Sequence, residues 1–142
     1  MTSSTFYGNR ARVGGAVTVF DLSSAGLGVT GSTFVANTAR TGGAIYNYDG
    51  LTATSGVFTA NRATQGGALD QDWYATLTGD LFTRNTAGSH GGAIDNGVSS
   101  PGFGGPLVVS RSSITGNSAG TDGGGIFNHP LSAPRPASRA RP

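Results

Sequence analysis

The stretch FVANTARTGGAI at residues 34–45 decides the fold, because FTANRATQGGAL at residues 58–69 repeats it almost letter for letter. Three more stretches follow the same pattern, F-x-x-N-x-A-x-x-G-G-A-I, with one extra residue in the last two. They are FYGNRARVGGAV (6–17), FTRNTAGSHGGAI (82–94) and ITGNSAGTDGGGI (114–126). The leading Phe or Ile recurs after 28, 24, 24 and 32 residues. A period of about 20 to 50 residues is the signature of a repeat architecture.

The units also share a short apolar pattern upstream of the Phe or Ile. Two apolar residues lie seven and five positions before it in the last four units: Leu27/Val29, Leu51/Ala53, Ala75/Leu77 and Leu107/Val109. Spacing by two is typical of a half-buried strand. Each unit is therefore predicted to hold three short strands, at this apolar pair, at the Phe and at the G-G-A-I stretch.

A unit of three short strands cannot bury its apolar face alone, but stacked copies can. The sequence therefore predicts an all-β fold, a parallel β-helix of about five coils with roughly 24 residues per coil. Its coils would lie about 4.8 Å apart, the usual strand spacing. Two apolar columns should line the interior: Phe6, Phe34, Phe58, Phe82 and Ile114 in one, and Val17, Ile45, Leu69, Ile94 and Ile126 in the other.

The repeated Asn and Gly residues have structural explanations. Asn tolerates turn conformations, and Asn side chains stacked in register can bond to one another as an amide ladder. The predicted ladder is Asn9, Asn37, Asn61, Asn85 and Asn117. The Gly pairs permit a tight bend and close backbone approach. A ligand-binding Asn row is the alternative.

Composition excludes several classes of function. The 142 residues include 25 Gly but no Cys, no Lys and no Glu. Without Cys there is neither a disulfide nor a thiolate metal site, and we expect no cofactor and no metal ion. The net charge of +2 depends on Arg135, Arg139 and Arg141 near the end, so no basic face for nucleic acid is predicted. No apolar run is long enough for a membrane helix, and the first residues lack a signal-peptide pattern.

The ends of the array suggest a domain boundary. We predict a solenoid over residues 1–129 and a disordered Pro- and Arg-rich tail over residues 130–142. Neither end shows a recognisable cap, which a stacked array needs. The sequence thus favours a truncated solenoid, and the alternative is a short domain whose uncapped coils associate end to end.

Candidate binding residues lie in the variable stretches after each G-G-A-I strand, 18–26, 46–50, 70–74 and 95–106. Variable loops on a fixed scaffold are the usual place for function. Aromatic and acidic side chains gather there: Tyr46, Tyr48, Asp49, Asp70, Asp72, Trp73, Tyr74 and Asp95. In the aligned units Tyr46, Asp70, Asp95 and Phe127 hold one position, which strand alternation directs outward.

This mixture of side chains leaves three interpretations open. The residues cover a corner of the solenoid, or they form a groove for a glycan or a cell-surface protein, since aromatic and acidic groups suit sugar rings and Tyr and Trp suit protein contacts. The third is catalysis by Asp70 and Asp95 as paired carboxylates, with Asp72 nearby. His90, assigned to the extra residue of its turn, and His129, beside the tail, have no evident partner and are expected to face solvent.

The units resemble the repeats of the chlamydial polymorphic outer membrane proteins, whose signatures are GGAI and FxxN. This chain carries GGAV, GGAI, GGAL, GGAI and GGGI, with FxxN four times and IxxN once, over roughly residues 5–128. The resemblance implies a right-handed parallel β-helix of the pectin-lyase-like kind, exposed at the cell surface as an autotransporter passenger or secreted, and linked to adhesion. We therefore expect a non-catalytic scaffold or adhesin-like protein. The alternative is a fragment of a polysaccharide-degrading β-helix enzyme, a polyuronide lyase or hydrolase.

Overall fold

The structure is a computed structural model that describes residues 1–20, 26–97 and 105–129; the predicted tail 130–142 lies outside them. In these ranges every regular element is a short strand. The strands are β1 Thr5–Tyr7, β2 Val17–Val19, β3 Leu27–Thr30, β4 Thr33–Val35, β5 Ile45–Asn47, β6 Leu51–Thr54, β7 Val57–Thr59, β8 Arg62–Ala63, β9 Leu69–Gln71, β10 Ala75–Thr78, β11 Leu81–Thr83, β12 Thr86–Ala87, β13 Ile94–Asn96, β14 Leu107–Ser110, β15 Ser113–Thr115, β16 Ser118–Ala119 and β17 Ile126–Asn128.

The strands form parallel sheets that run along the stack, and each coil contributes at most one strand to a sheet. The Phe strands pair in the order β1-β4-β7-β11-β15, and the G-G-A-I strands in the order β17-β13-β9-β5-β2. The apolar-pair strands form a third sheet, β14-β10-β6-β3. Equivalent residues of successive units are paired in register, as with Phe34 and Phe58. The predicted parallel β-helix is confirmed.

A fourth sheet, β16-β12-β8, was missed by the sequence analysis. Its strands have two residues each and follow the ladder Asn directly, which is too short for a period-2 pattern to show. In the first two coils single bridges, Arg10 to Thr38 and Thr38 to Arg62, continue this sheet. Three turns, the third to the fifth, therefore carry all four strands, somewhat fewer than the about five coils predicted.

The interior is a stack of identical side chains. The rings of Phe6, Phe34, Phe58 and Phe82 are stacked, with successive centroids 4.8, 4.9 and 4.5 Å apart and ring planes within 5° of parallel. The second column is equally closed, because Ile45, Leu69 and Ile94 are fully buried. Both predicted columns are confirmed, and the coil spacing sets the ring separation.

The predicted Asn ladder is present and fully hydrogen-bonded at its centre. The Asn61 side chain donates from Nδ2 to Asn85 Oδ1 (3.0 Å) and to the carbonyl oxygen of Phe34 (3.0 Å). Its Oδ1 accepts from the backbone N–H (2.9 Å) and the Nδ2 (3.0 Å) of Asn37. Asn61 is 1% exposed, so it replaces four hydrogen bonds to water with four to the neighbouring coils.

The two glycines of each pair have different roles. Gly66 has a φ of +59°, a conformation that L side chains rarely adopt. A Cβ on Gly67 would lie 2.0 Å from the carbonyl oxygen of Gly92 in the next coil, closer than any side chain allows. The first glycine therefore makes the bend, and the second lets successive coils approach.

Replacing Asn61 by Ala should destabilise the fold by about 3 to 5 kcal/mol, because four buried hydrogen bonds are lost and their partners stay buried. Chemical denaturation followed by circular dichroism measures the loss. Asn9→Ala is the matched control: Asn9 is exposed at the end of the ladder and only donates, to Asn37. Equal losses for the two variants would contradict the ladder as the main stabilising element.

A second, smaller side-chain row supports the turn before the Phe strand. Ser32 Oγ accepts from the Ser4 N–H (3.2 Å), and Ser112 Oγ from the Asp80 N–H (3.0 Å). At the equivalent position Asp80 Oδ1 accepts from the Gly56 N–H (2.6 Å), while its Oδ2 is buried without a partner. Burial raises the pKa of Asp80, against the lowering effect of its backbone hydrogen bonds.

Asp80→Ser should stabilise the protein near pH 7, by about 1 kcal/mol. Ser keeps an acceptor for Gly56, as Ser32 and Ser112 do, and removes the buried charge. Because the pKa is higher in the folded than in the unfolded state, the wild type loses stability as the pH rises from about 4, the unfolded-state pKa, through the folded-state pKa. Thermal melts recorded at several pH values measure the stability difference, and the higher stability of the variant should vanish below pH about 4. A stability difference that does not depend on pH would contradict the buried charge as its cause.

Candidate functional site

The outer surface of the β2-β5-β9-β13-β17 sheet and its flanks carries the candidate residues, and we call it the corner face. Three outward rows run along it: Val13, Thr41, Gln65, His90 and Asp122 before the bend; Thr18, Tyr46, Asp70, Asp95 and Phe127 on the strands; and Phe20, Tyr48, Asp72, Gly97 and His129 after them. The predicted alignment of Tyr46, Asp70, Asp95 and Phe127 is confirmed by the strand register.

Facing outward does not make the acidic residues accessible. Asp49, Asp70, Asp72 and Asp95 are 6, 5, 5 and 2% exposed. Neighbouring groups cover them, as the Tyr46 hydroxyl does for Asp72 and the His129 ring for Asp95. Whether these residues contact a ligand stays a prediction, but any ligand would first meet the side chains above them.

Two of the acids are held by specific hydrogen bonds. Tyr46 donates its hydroxyl to Asp72 Oδ2 in the next coil at 2.7 Å. The Asp49 carboxylate accepts from the Gly50 N–H (2.7 Å) and from the Gly26 N–H of the preceding coil (3.2 Å). These contacts tie successive loops together, as the corner-covering interpretation expects.

Burial raises the pKa of three acids of the corner face, Asp70, Asp72 and Asp95. The pKa of Asp70 is well above its usual range, first because of burial and then because of the nearby charges of Asp95 and Asp72. Burial also raises the pKa of Asp72, against the hydrogen bond from Tyr46, and that of Asp95, against the neighbouring His129. The sequence showed that Asp70 and Asp95 are neighbours but not that both would be buried.

A set of inward amides beneath the corner face was missed by the sequence analysis. Asn47 Nδ2 donates to Gln71 Oε1 at 3.0 Å, and Asn96 Nδ2 to Asn128 Oδ1 at 2.7 Å. Gln71 Nε2 also donates to the carbonyl oxygens of Asp49 (3.1 Å) and Tyr74 (3.2 Å), which holds both loops. The sequence pattern could have predicted these amides, because an Asn or Gln recurs two residues after the inward Ile or Leu in the last four units.

The expectation that both histidines lack partners was wrong. His129 Nε2 lies 2.9 Å from Asp95 Oδ1, and His90 Nε2 lies 3.8 Å from Asp122 Oδ2. Gly42 donates its N–H to the Gln65 carbonyl in the next coil, and the equivalent Gly66 donates its N–H to the His90 carbonyl. His90 therefore has the position in its coil that Gln65 has in the third, and it is not the extra residue. Stacking brings these histidines together from turns that lie far apart in sequence.

Exposed aromatic side chains are few on the described part of this face. Trp73 and Tyr74 are 38 and 42% exposed, and Phe20 is 66% exposed with its ring 5.3 Å from that of Tyr46. Tyr46 and Tyr48 are half-buried. Parts of two candidate loops, residues 21–25 and 98–104, lie outside the described residues.

Two cavities adjoin the corner face. One, of about 120 Å³, lies beside Tyr74 and is lined by Gly26, Leu27, Gly28, Gly50 and Thr52. The Tyr74 ring lies directly over Gly50, where a Cβ would be 2.2 Å from it. The other, of about 460 Å³, is lined by Asn96, Leu107 and His129 among others. Small residues thus leave shallow space next to an aromatic ring.

The fold and the corner face define a parallel β-helix repeat protein. Residues 81–97 and 111–129 match the family model of the Chlamydia polymorphic membrane protein repeat. The chain carries that repeat at these two sites, its fourth and fifth units, which confirms the resemblance seen in the sequence. This repeat family is one of outer-membrane surface proteins.

No curated protein and no solved structure matches the chain. No helix in the described ranges is long and apolar enough to cross a membrane.

Proposed function

We propose that this chain is a non-catalytic scaffold of a surface or secreted protein, adhesin-like, that binds a glycan through the corner face. The observation that carries the proposal is the exposure of Trp73 and Tyr74 on a wall whose candidate acids are buried. The family of its repeats supports the surface location.

The aromatic pair sits on a rigid base. The carbonyl oxygen of Tyr74 accepts from the Leu51 N–H (2.9 Å) and from Gln71 Nε2 (3.2 Å), and the neighbouring Asp72 N–H donates to the Asn47 carbonyl (3.0 Å). Binding surfaces that are fixed before the ligand arrives lose little conformational entropy on association. The loop 70–74 is therefore ordered as a binding surface should be.

The chemistry of this surface favours a sugar. A sugar ring presents C–H groups that pack on an aromatic face, and Tyr and Trp supply such faces with a polar edge. The adjoining cleft exposes Gly28 and Thr52, so backbone and hydroxyl groups line its floor. The buried Asp49 and Asp72 support the loops instead of contacting the ligand, which modifies the role that their sequence positions suggested.

Trp73→Ala should weaken binding by about tenfold or more, since an exposed aromatic anchor typically contributes over 1 kcal/mol. A glycan array identifies the ligand with the wild-type protein, and titration calorimetry then compares the variants. Tyr74→Ala should act in the same direction.

The matched control is Tyr7→Ala, because Tyr7 is also exposed but lies on the Phe-strand sheet, away from the corner face. If a glycan binds the wild type, Trp73→Ala and Tyr7→Ala with the same affinity, its binding site lies outside the Trp73–Tyr74 surface. A negative array at high protein concentration would exclude the glycan and leave a protein partner, tested by the same three variants in pull-downs from cell-surface extracts.

A second candidate, a polysaccharide-degrading enzyme, is favoured by one observation. Asp70 and Asp95 are paired in register on adjacent strands, and both have raised pKa values, as a general acid requires. Polyuronide cleavage assayed with and without Ca²⁺ decides this candidate. Turnover that Asp70→Asn abolishes would replace the binding proposal; without turnover at any pH between about 4 and 9, the enzyme is excluded.

A further inference from the structure

The fourth and fifth coils bring together two imidazoles and a carboxylate that no sequence motif joins. One ligand atom from each of His90, Asp95 and His129 lies within 4.8 Å of the other two. The three residues come from the three rows of the corner face, one row each. We propose that this cluster binds a divalent transition-metal ion of the Zn²⁺ type and ties the fourth coil to the fifth.

The separations suit a shared metal ion. Ligand atoms about 2.0 to 2.1 Å from a tetrahedral Zn²⁺ lie about 3.3 Å apart. His129 Nε2 and Asp95 Oδ1 are 2.9 Å apart, and no two ligand atoms of the cluster are more than 4.8 Å apart. The longest distance therefore has to shorten by about 1.5 Å to reach the tetrahedral value. Rotation of the two partly exposed imidazole side chains covers this difference without moving the strands.

The backbone of all three residues is fixed by the stack. His129 donates its N–H to Asn96 in the fourth coil at 2.9 Å, and Asp95 lies within β13, paired with both neighbouring strands. The His90 carbonyl accepts from Gly66, and the next residue, Gly91, donates to Asp122. A ligand set held in this way is preorganised, which a tight metal site requires.

A glycine makes room for His129. Gly97 has the register position that Asp72 has in the third coil, with the matching backbone hydrogen bond to the coil before. A Cβ on Gly97 would lie 2.3 Å from the His129 Cβ, so a side chain here would push the imidazole away from Asp95. The cluster can therefore form between the fourth and fifth coils, where Gly replaces Asp.

The surroundings favour a cation. The ring of Phe127 stacks on His90 with centroids 4.8 Å apart and meets His129 edge-on at 4.5 Å, so one apolar wall holds both imidazoles. His90 Nδ1 is buried without a hydrogen-bond partner. Asp122 lies on the open side next to His90, 61% exposed, and adds negative charge.

The donor set determines the class of metal. Two imidazoles and one carboxylate suit Zn²⁺ and its first-row neighbours, whereas Ca²⁺ and Mg²⁺ prefer oxygen ligands throughout. With three protein ligands at least one coordination position would be left for water. Because His90 and Asp95 belong to the fourth coil and His129 to the fifth, the ion would cross-link two coils at the end of the array.

The test is titration of the tag-free full chain, freed of metal by chelator, with ZnCl₂ in a calorimeter, and with CoCl₂ followed by visible absorption. We expect one ion per chain, Co²⁺ bands typical of a coordination number below six, and a melting temperature that rises with Zn²⁺ concentration. His90→Gln is the informative variant, since Gln65 occupies the same position in the third coil and shows that the fold accepts it. It should lower the affinity by at least about tenfold.

Asp95→Asn, which keeps the size of the side chain, should have the same effect, and Asp80→Ser, which lies away from the corner face, is the control that should leave Zn²⁺ affinity within about twofold of wild type. Calcium should not compete. The proposal is overturned if no saturable binding is found. It is equally overturned if His90→Gln, shown by circular dichroism to be folded, binds Zn²⁺ as the wild type does.

Discussion

The Asn ladder is the interaction on which the rest of the structure depends. Each central Asn side chain bonds both neighbouring coils at once, through its amide and through a backbone carbonyl, and is removed from water. An amide buried at such a point costs several kcal/mol unless every donor and acceptor is satisfied, so only one register between coils is tolerated. Once the ladder fixes that register, Phe must stack on Phe and each G-G pair must meet the next, which is what the structure shows.

That constraint also explains the composition. Columns inside a narrow solenoid admit only side chains that tolerate an identical copy about 4.8 Å away. Phe, Ile, Leu and Asn satisfy this condition, whereas charged side chains would face like charges. The one charged residue at a turn support, Asp80, has an unpartnered buried oxygen and a raised pKa, while its counterparts Ser32 and Ser112 do not carry a charge. The repeat is therefore nearly uniform in the interior Phe and Asn columns and variable in the outward rows.

We therefore propose the corner face as the place of function, because its outward rows are the variable ones. Stacking makes residues that are distant in sequence neighbours on this face, as with Tyr46 and Asp70 in one row and Tyr46 and Asp72 in adjoining rows. The same geometry divides its residues by role. Buried acids and amides hold the loops, the exposed pair Trp73 and Tyr74 is available to a ligand, and the two histidines converge on Asp95 at the last two coils. Binding and metal coordination would thus use separate coils of one wall.

The sequence by itself determined the repeat, the parallel stacking, both apolar columns and the Asn ladder. Side chains that stack on equivalent side chains of the next coil must recur once per coil, and this recurrence is visible in the sequence. It also located the rows that hold Tyr46, Asp70 and Asp95. It could not find the two-residue strands β8, β12 and β16, which are shorter than any hydrophobic period. Only the tertiary structure decided that the aspartates are buried and that His90 and His129 meet Asp95. Those features depend on contacts between coils, such as Tyr46 with Asp72 and His129 with Asp95, and on the absent side chain at Gly97, and neither follows a period.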